Sequence, residues 1–189
     1  MFVTPAIIAA AERELGAPET LAVRYEILPA ELAMIRSSQR DNRAHDVTTV
    51  LHHDGEVVVV AKPGFPSGIF RIPGGALKPG EALVVGAARE AREETGLEFT
   101  PRVYVLRVTA RFTCGDERID WTTHVVAGPV AYRDPVPEDT REIAEARWVP
   151  WQELVGPIAR RMLATGRPLF AYRVALHGAI HDTMQRTDA

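Results

Sequence analysis

The chain has 189 residues and a formal net charge of −3, long enough for one well-buried core and without a feature that demands a second domain. The charge balance and the lack of a basic stripe argue against a general nucleic-acid binder, and no apolar run approaches membrane-spanning length. Cys114 is the only cysteine, which excludes an internal disulfide or a cysteine metal cage and makes a reducing cytoplasm the simplest setting.

The start, MFVTPAIIAAAERELG, lacks a basic leader and reaches Glu12 soon after a short apolar run, so it does not read as a signal peptide. Thr4 before Pro5 is a candidate helix cap and Gly16 a stop, so the first 44 residues are expected to add one or two helices. Val47 to Leu51 and Val57 to Val60 are β-rich runs joined by His52-His53-Asp54-Gly55-Glu56, a hairpin signal because Asp-Gly suits a tight turn. The strand-like stretch Phe70 to Ile72 leads through Pro73 into Gly74 and Gly75, where the chain turns sharply and can approach another group closely.

A helix is then predicted from near Glu81. Val84, Ala87, Ala88 and Ala91 recur at spacings of three and four as a core-facing stripe, and Gly96 sits where the helix stops. Glu90, Glu93 and Glu94 are expected on the other side of it. Further on, Val103 to Phe112 and Ile119 to Val126 make a second hairpin around Cys114-Gly115-Asp116, and Ala146 to Val149 is a short strand. The segments Trp151 to Val155, Pro157 to Ala164 and Phe170 to Met184 read as helical. Strands on both sides of a helix point to a sheet covered by helices.

Glu90 and Glu94 are one helical turn apart, with Glu93 three residues from Glu90, so three carboxylates share a face. Like charges at this spacing cost a helix roughly 0.2–0.5 kcal/mol per pair, and something should compensate. Two readings stand on spacing alone. A divalent cation such as Mg²⁺ or Mn²⁺, which prefers carboxylate oxygens, is one. A solvated face in which Arg89 pairs with Glu93 and Arg92 neutralises the rest is the other.

Gly75, Glu81, Arg89, Glu90, Ala91, Glu93, Glu94, Gly96 and Leu97 together resemble the signature of the Nudix hydrolases, with every charged and glycine position at the family's spacing. Ala91 departs from it, being smaller than the usual aliphatic residue. The resemblance covers the middle of the chain, from His45 to Leu154. It implies an α/β (α+β) fold, the Nudix-type α/β/α sandwich with a mixed β-sheet. The expected organisation is a single domain over 1–189, with 1–44 an N-terminal helical extension and 157–189 a C-terminal helical segment.

The resemblance further implies hydrolysis of a phosphoanhydride bond in a nucleoside diphosphate linked to another moiety, with Mg²⁺ or Mn²⁺ as cofactor. Glu90, Glu93 and Glu94 would hold the metal with a carbonyl oxygen at Gly75, while Arg89 and Glu81 orient the carboxylates. Glu93, Glu94 and Arg89 are thus catalytic candidates. For the general base, the acidic loop at 137–142 offers Glu142 first and Glu138 second. Arg71 is a candidate phosphate contact, and His124 a candidate wall of the substrate pocket or a buried, hydrogen-bonded histidine. Phe70, Trp121 and Tyr132 are candidates to stack on a base.

Three other classes fit the chain less well. A nucleotide-binding sensor module would be expected to have lost signature carboxylates, and this chain keeps them. Action on the 5′ end of RNA is disfavoured by the acidic balance, and isomerisation of an isoprenoid diphosphate by the turn position of Cys114. The terminal helices are candidates for a lid or for a homodimer interface.

Overall fold

The structure is a computed structural model that describes residues 3–39 and 43–187. Its elements in chain order are α1 (Pro5–Leu15), β1 (Glu19–Glu26), α2 (Pro29–Ser38), β2 (His45–His53), β3 (Glu56–Ala61), β4 (Gly74–Gly75), α3 (Leu83–Thr95), β5 (Val103–Cys114), β6 (Glu117–Pro129) and β7 (Glu145–Pro150). The remaining helical stretch runs through α4 (Trp151–Glu153), a π-helical turn at Leu154–Ile158 containing Pro157, and α5 (Ala159–Ala164), followed by α6 (Pro168–Thr187).

A sheet ordered β1-β5-β6-β2-β3-β7 forms the middle layer, with β4 paired to β2. It is mixed: β1 runs parallel to β5 and β2 parallel to β6, whereas β5–β6, β2–β3 and β3–β7 are antiparallel. Each face of the sheet carries its own core, as period-2 alternation requires. Val50, Val57 and Val59 point to one, with Tyr172, Leu176 and Ile180 of α6 and Leu32 and Ile35 of α2. Val47, Leu51 and Val58 point to the other, with Ala87 and Ala91 of α3 and Ala11 and Leu15 of α1. This is the expected α/β/α arrangement with a mixed sheet.

Local signals account for most boundaries. The Thr4 hydroxyl accepts from the Ile7 N–H and caps α1, and Gly16 ends it. Asp54 and Gly55 both have positive φ, 43° and 82°, as a two-residue hairpin turn between β2 and β3 requires. Gly96 closes α3 in the left-handed conformation, its N–H bonded to the Arg92 carbonyl.

Two expectations need correction. The N-terminal extension is not purely helical, because residues 19–26 form β1 and extend the sheet beside β5. The alternation of half-buried Leu21, Val23 and Tyr25 with exposed residues is that of an edge strand. The buried face of α3 is also rotated from the predicted one. Leu83, Ala87 and Ala91 are buried, but so are Glu90 and Glu94, while Val84 and Ala88 are only partly covered. Those two glutamates therefore lie on the sheet side of the helix, where charge and hydrogen-bond partners await them.

Candidate active site

The site is built where β4 and the segment before it meet α3. Arg71 is tied to β3 through both of its backbone groups, which exchange hydrogen bonds with Val60. Pro73 and Gly74 then bring the chain against β2, where Gly75 pairs with Val47 and Gly74 with Thr48. Gly74 has φ 151°, and a Cβ on it would fall 2.2 Å from the Val47 carbonyl oxygen. Only glycine fits that contact. At Gly75 a Cβ would lie 2.2 Å from Glu90 Oε2, so the missing side chain is the space the Glu90 carboxylate occupies.

Arg89 organises the carboxylates around this turn. Its guanidinium grips Glu81 with two hydrogen bonds of 2.9 and 2.8 Å, and donates to the Ala76 carbonyl at 2.8 Å. The remaining nitrogen, Nη1, donates to Glu90 Oε1 at 2.8 Å and to Glu93 Oε2 at 3.0 Å. Arginine's planar fork makes such multidentate geometry possible where lysine would serve only as a point charge. Glu81 is held below the usual carboxylate range, first by the Arg89 hydrogen bond. Glu90 moves the other way: burial raises its pKa despite Arg89, and the neighbouring Glu94 and Glu93 add to the rise.

Glu94 is engaged from the opposite side. Arg71 donates to its Oε1 at 2.6 Å and the Gly74 N–H to its Oε2 at 2.8 Å. Arg71 also donates to the carbonyls of Ile72 and Gly74. The arginine expected to meet phosphate is thus mostly committed to holding the glycine turn and Glu94 together, although it still lines the adjoining cavity. Glu93 is the outermost of the three glutamates, with its side chain 44% exposed.

The acidic loop docks on the end of α3. The N–H groups of Glu138 and Asp139 both donate to the Glu93 carbonyl, and that of Val136 to the Thr95 carbonyl. These bonds satisfy carbonyls that a helix C-terminus otherwise leaves open. Glu138 pairs with Arg92 at the surface, whereas Glu142 is exposed and pairs with Lys62 at 3.2 Å. Lys62 lines a cavity of about 360 Å³ that also presents Arg71, Gly74 and Gly75. Of the two loop carboxylates, Glu142 therefore has a partner on the cavity wall.

His124 is fully buried and does not line that cavity. Its Nδ1 hydrogen-bonds the Tyr104 hydroxyl, its Nε2 lies 3.0 Å from His45 Nδ1, and burial lowers its pKa to about 3. Of the two positions the sequence allowed it, it occupies the buried, hydrogen-bonded one and presents no surface to the cavity. Among the stacking candidates, Trp121 lines the cavity and Phe70 and Tyr132 do not. Sequence reasoning missed the cavity's other wall, contributed by α2 and α6 through Ile35, Phe170, Tyr172 and Arg173. No sequence signal pointed to it, because neither helix separates apolar from polar residues onto distinct faces as α1 and α3 do.

Among the described residues, no three His, Cys, Asp or Glu side chains converge where a metal ion could be held as they stand. The fit to a divalent cation is one of donor type and charge. The donors are all oxygen, and Glu90 is a buried carboxylate whose burial outweighs the arginine beside it. Added positive charge at that point would relieve it.

Residues 42–171 match the NUDIX domain family. Nudix hydrolase 2 of Arabidopsis thaliana is 30% identical over 110 residues, 56% of this chain, and the match spans 38% of that protein's length. Among solved structures, the MutT protein from Methanosarcina mazei Go1 aligns with a TM-score of 0.56 at 22% identity, covering 77% of this chain and 96% of that one. A Nudix hydrolase from Nitrosomonas europaea aligns at 0.47 and 27% identity, over 59% and 74% of the two chains. An α/β/α sandwich with its carboxylates on one helix and a glycine turn beneath them defines the class. The chain belongs to the Nudix family. Among the described residues, no helix is long and apolar enough to cross a membrane.

Proposed function

We propose that the chain is a pyrophosphohydrolase that cuts the phosphoanhydride of a nucleoside diphosphate linked to another moiety, in a cytoplasmic setting consistent with its lone cysteine. The observation that carries this reading is the seating of Glu90 in the space left by the missing side chain of Gly75, a glycine that itself lines a cavity large enough for a nucleotide. Burying a carboxylate there costs stability that Arg89 offsets only in part, and such residual cost is characteristic of functional sites.

In this reading Glu90, Glu93 and Glu94 hold Mg²⁺ or Mn²⁺ with a backbone oxygen of the glycine turn. Such a cation supplies charge neutralisation at the diphosphate and a lowered pKa for the attacking water. The chain's own residues do the rest. Arg89 keeps Glu90 and Glu93 aimed at one place, and Arg71 does the same for Glu94. Glu142 swings from Lys62 to accept the proton of the attacking water, whose oxygen bonds to phosphorus as the bridging P–O bond breaks. The products are two phosphate-bearing fragments.

The test is a panel of nucleoside diphosphate derivatives assayed with Mg²⁺, with Mn²⁺ and with chelator, alongside 5′-triphosphorylated RNA. Cation-dependent turnover of a small nucleotide derivative is expected. Binding without turnover would favour a sensor module, and turnover confined to RNA would move the substrate to a polynucleotide 5′ end.

A further inference from the structure

The cavity is far more basic than one diphosphate requires. Arg43, Lys62, Arg71, Arg167 and Arg173 line it against a single carboxylate, Asp46. Arg71 is committed to Glu94 and Lys62 pairs with Glu142. The other three arginines are not neutralised in the same way. Arg173 lies 3.8 Å from Asp46, and Arg167 lies 3.7 Å from Glu31, both beyond hydrogen-bond length. The carboxylates are meanwhile occupied: Asp46 accepts from the Thr123 hydroxyl, and Glu31 from the N–H groups of Leu28 and Leu169.

Arg43 is the most exceptional of the three. Its guanidinium lies 5.3 Å from the centre of the Trp121 ring, and its Nε is buried without a hydrogen-bond partner among the described residues. A buried N–H left unmade costs about 1–3 kcal/mol, so a polar ligand at that point has an energetic role to fill. Arg43 lies within cation–π range of the indole and also lines the cavity, so its charge is positioned by Trp121 while a polar group entering the cavity can supply the missing partner.

The strand register sets how far this end lies from the glycine turn. Gly75 pairs with Val47, and Ala44 still accepts a hydrogen bond from Thr122 next to Trp121. Arg43 is four residues before Val47, a separation of roughly 13 Å along extended chain. That is longer than a diphosphate and suits a nucleotide lying lengthwise with a charged group at its far end.

Resting on the hydrolase reading for the site's near end, we propose that Arg43, Arg167 and Arg173 form a second anion subsite, selecting substrates that carry a further phosphate remote from the scissile anhydride. That group sits either on the nucleoside or on the moiety linked to it, and the chemistry of recognition is the same. Arg43 reads it with its guanidinium, while Asp46 and Glu31 keep Arg173 and Arg167 close without consuming their donors.

The experiment is calorimetric binding to the full chain in chelator, where hydrolysis does not run. Adenosine 5′-diphosphate is compared with adenosine 3′-phosphate 5′-diphosphate, and ADP-glucose with its glucose 6-phosphate counterpart. In at least one pair the added phosphate is expected to tighten binding about tenfold or more, the scale of one good charge-assisted contact. Arg43→Gln and Arg173→Gln should each bring that ratio below about threefold, with circular dichroism confirming the fold, and Arg43→Lys should leave an intermediate ratio. Equal affinities within both pairs, or a ratio unchanged in both glutamine variants, would overturn the subsite. Turnover of the same compounds with Mg²⁺ separates the two readings. A binding preference without turnover keeps the subsite and sinks the hydrolase reading, whereas turnover without a preference does the reverse.

Discussion

Arg71 and Glu94 are 23 residues apart in sequence, yet they meet in a 2.6 Å ion pair with side chains only 6% and 5% exposed. The pair bolts the segment before the glycine turn onto α3 and so sets the distance between the two halves of the site.

Removing one partner strands the other as a buried charge, so Arg71→Gln should cost about 3–5 kcal/mol by urea denaturation. The double variant Arg71→Met, Glu94→Leu should recover most of that loss while remaining inactive. A single-variant cost below about 1 kcal/mol would mean that the pair is not structural.

Gly75→Ala places a methyl group in the space of the Glu90 carboxylate. Overpacking of this kind costs about 1–3 kcal/mol, and the cheapest relief is to push Glu90 aside. Turnover is therefore expected to fall about 100-fold or more with the fold retained, measured as kcat beside a thermal melt.

His124 and His177 are both buried, and burial lowers each pKa to about 3 from an ordinary 6.5. Between those values the unfolded chain binds protons that the folded chain refuses, so stability falls as pH drops below about 6.5. The expected slope between pH 6.5 and 5.5 is roughly 1 kcal/mol per unit for each histidine, read from urea midpoints at each pH. His124→Gln should flatten the slope by one histidine's share. An unchanged slope would show that His124 takes up its proton while folded.

Gly178 lies in α6 and a Cβ there would meet nothing within 4 Å. Gly178→Ala should therefore raise stability by about 0.5–1 kcal/mol through helix propensity alone. Thermal melting of the two proteins decides it.

Legibility in the sequence followed the range of the interactions. The α3 helix, its Gly96 stop, the Asp54-Gly55 turn and the Thr4 cap depend on residues a few positions apart, and each could be read directly. The burial of Glu90 and Glu94 could not, because periodicity ranks side chains by polarity and these two are buried by partners: Arg89 nearby, Arg71 and Gly74 from across the fold. For the same reason Arg71 suggested a phosphate contact, when its strongest partner is a protein carboxylate. The residues of β1 carried the alternation of a strand, yet its place in the sheet depends on β5, more than 80 positions away. The shared cavity of α2 and α6 is likewise a product of topology.

The structure also changes how the central claim is best tested. Glu94→Gln would break the buried pair with Arg71 and confuse lost chemistry with lost stability, whereas Glu93 is half exposed and can be changed with little effect on the fold. The decisive measurement is the Mg²⁺-dependent kcat of Glu93→Gln against the unaltered chain on the best nucleoside diphosphate derivative, with both melting curves recorded. A loss of about 100-fold or more at a melting temperature within a few degrees is predicted. An unchanged kcat in a folded Glu93→Gln protein would contradict the assignment of the α3 carboxylates to catalysis.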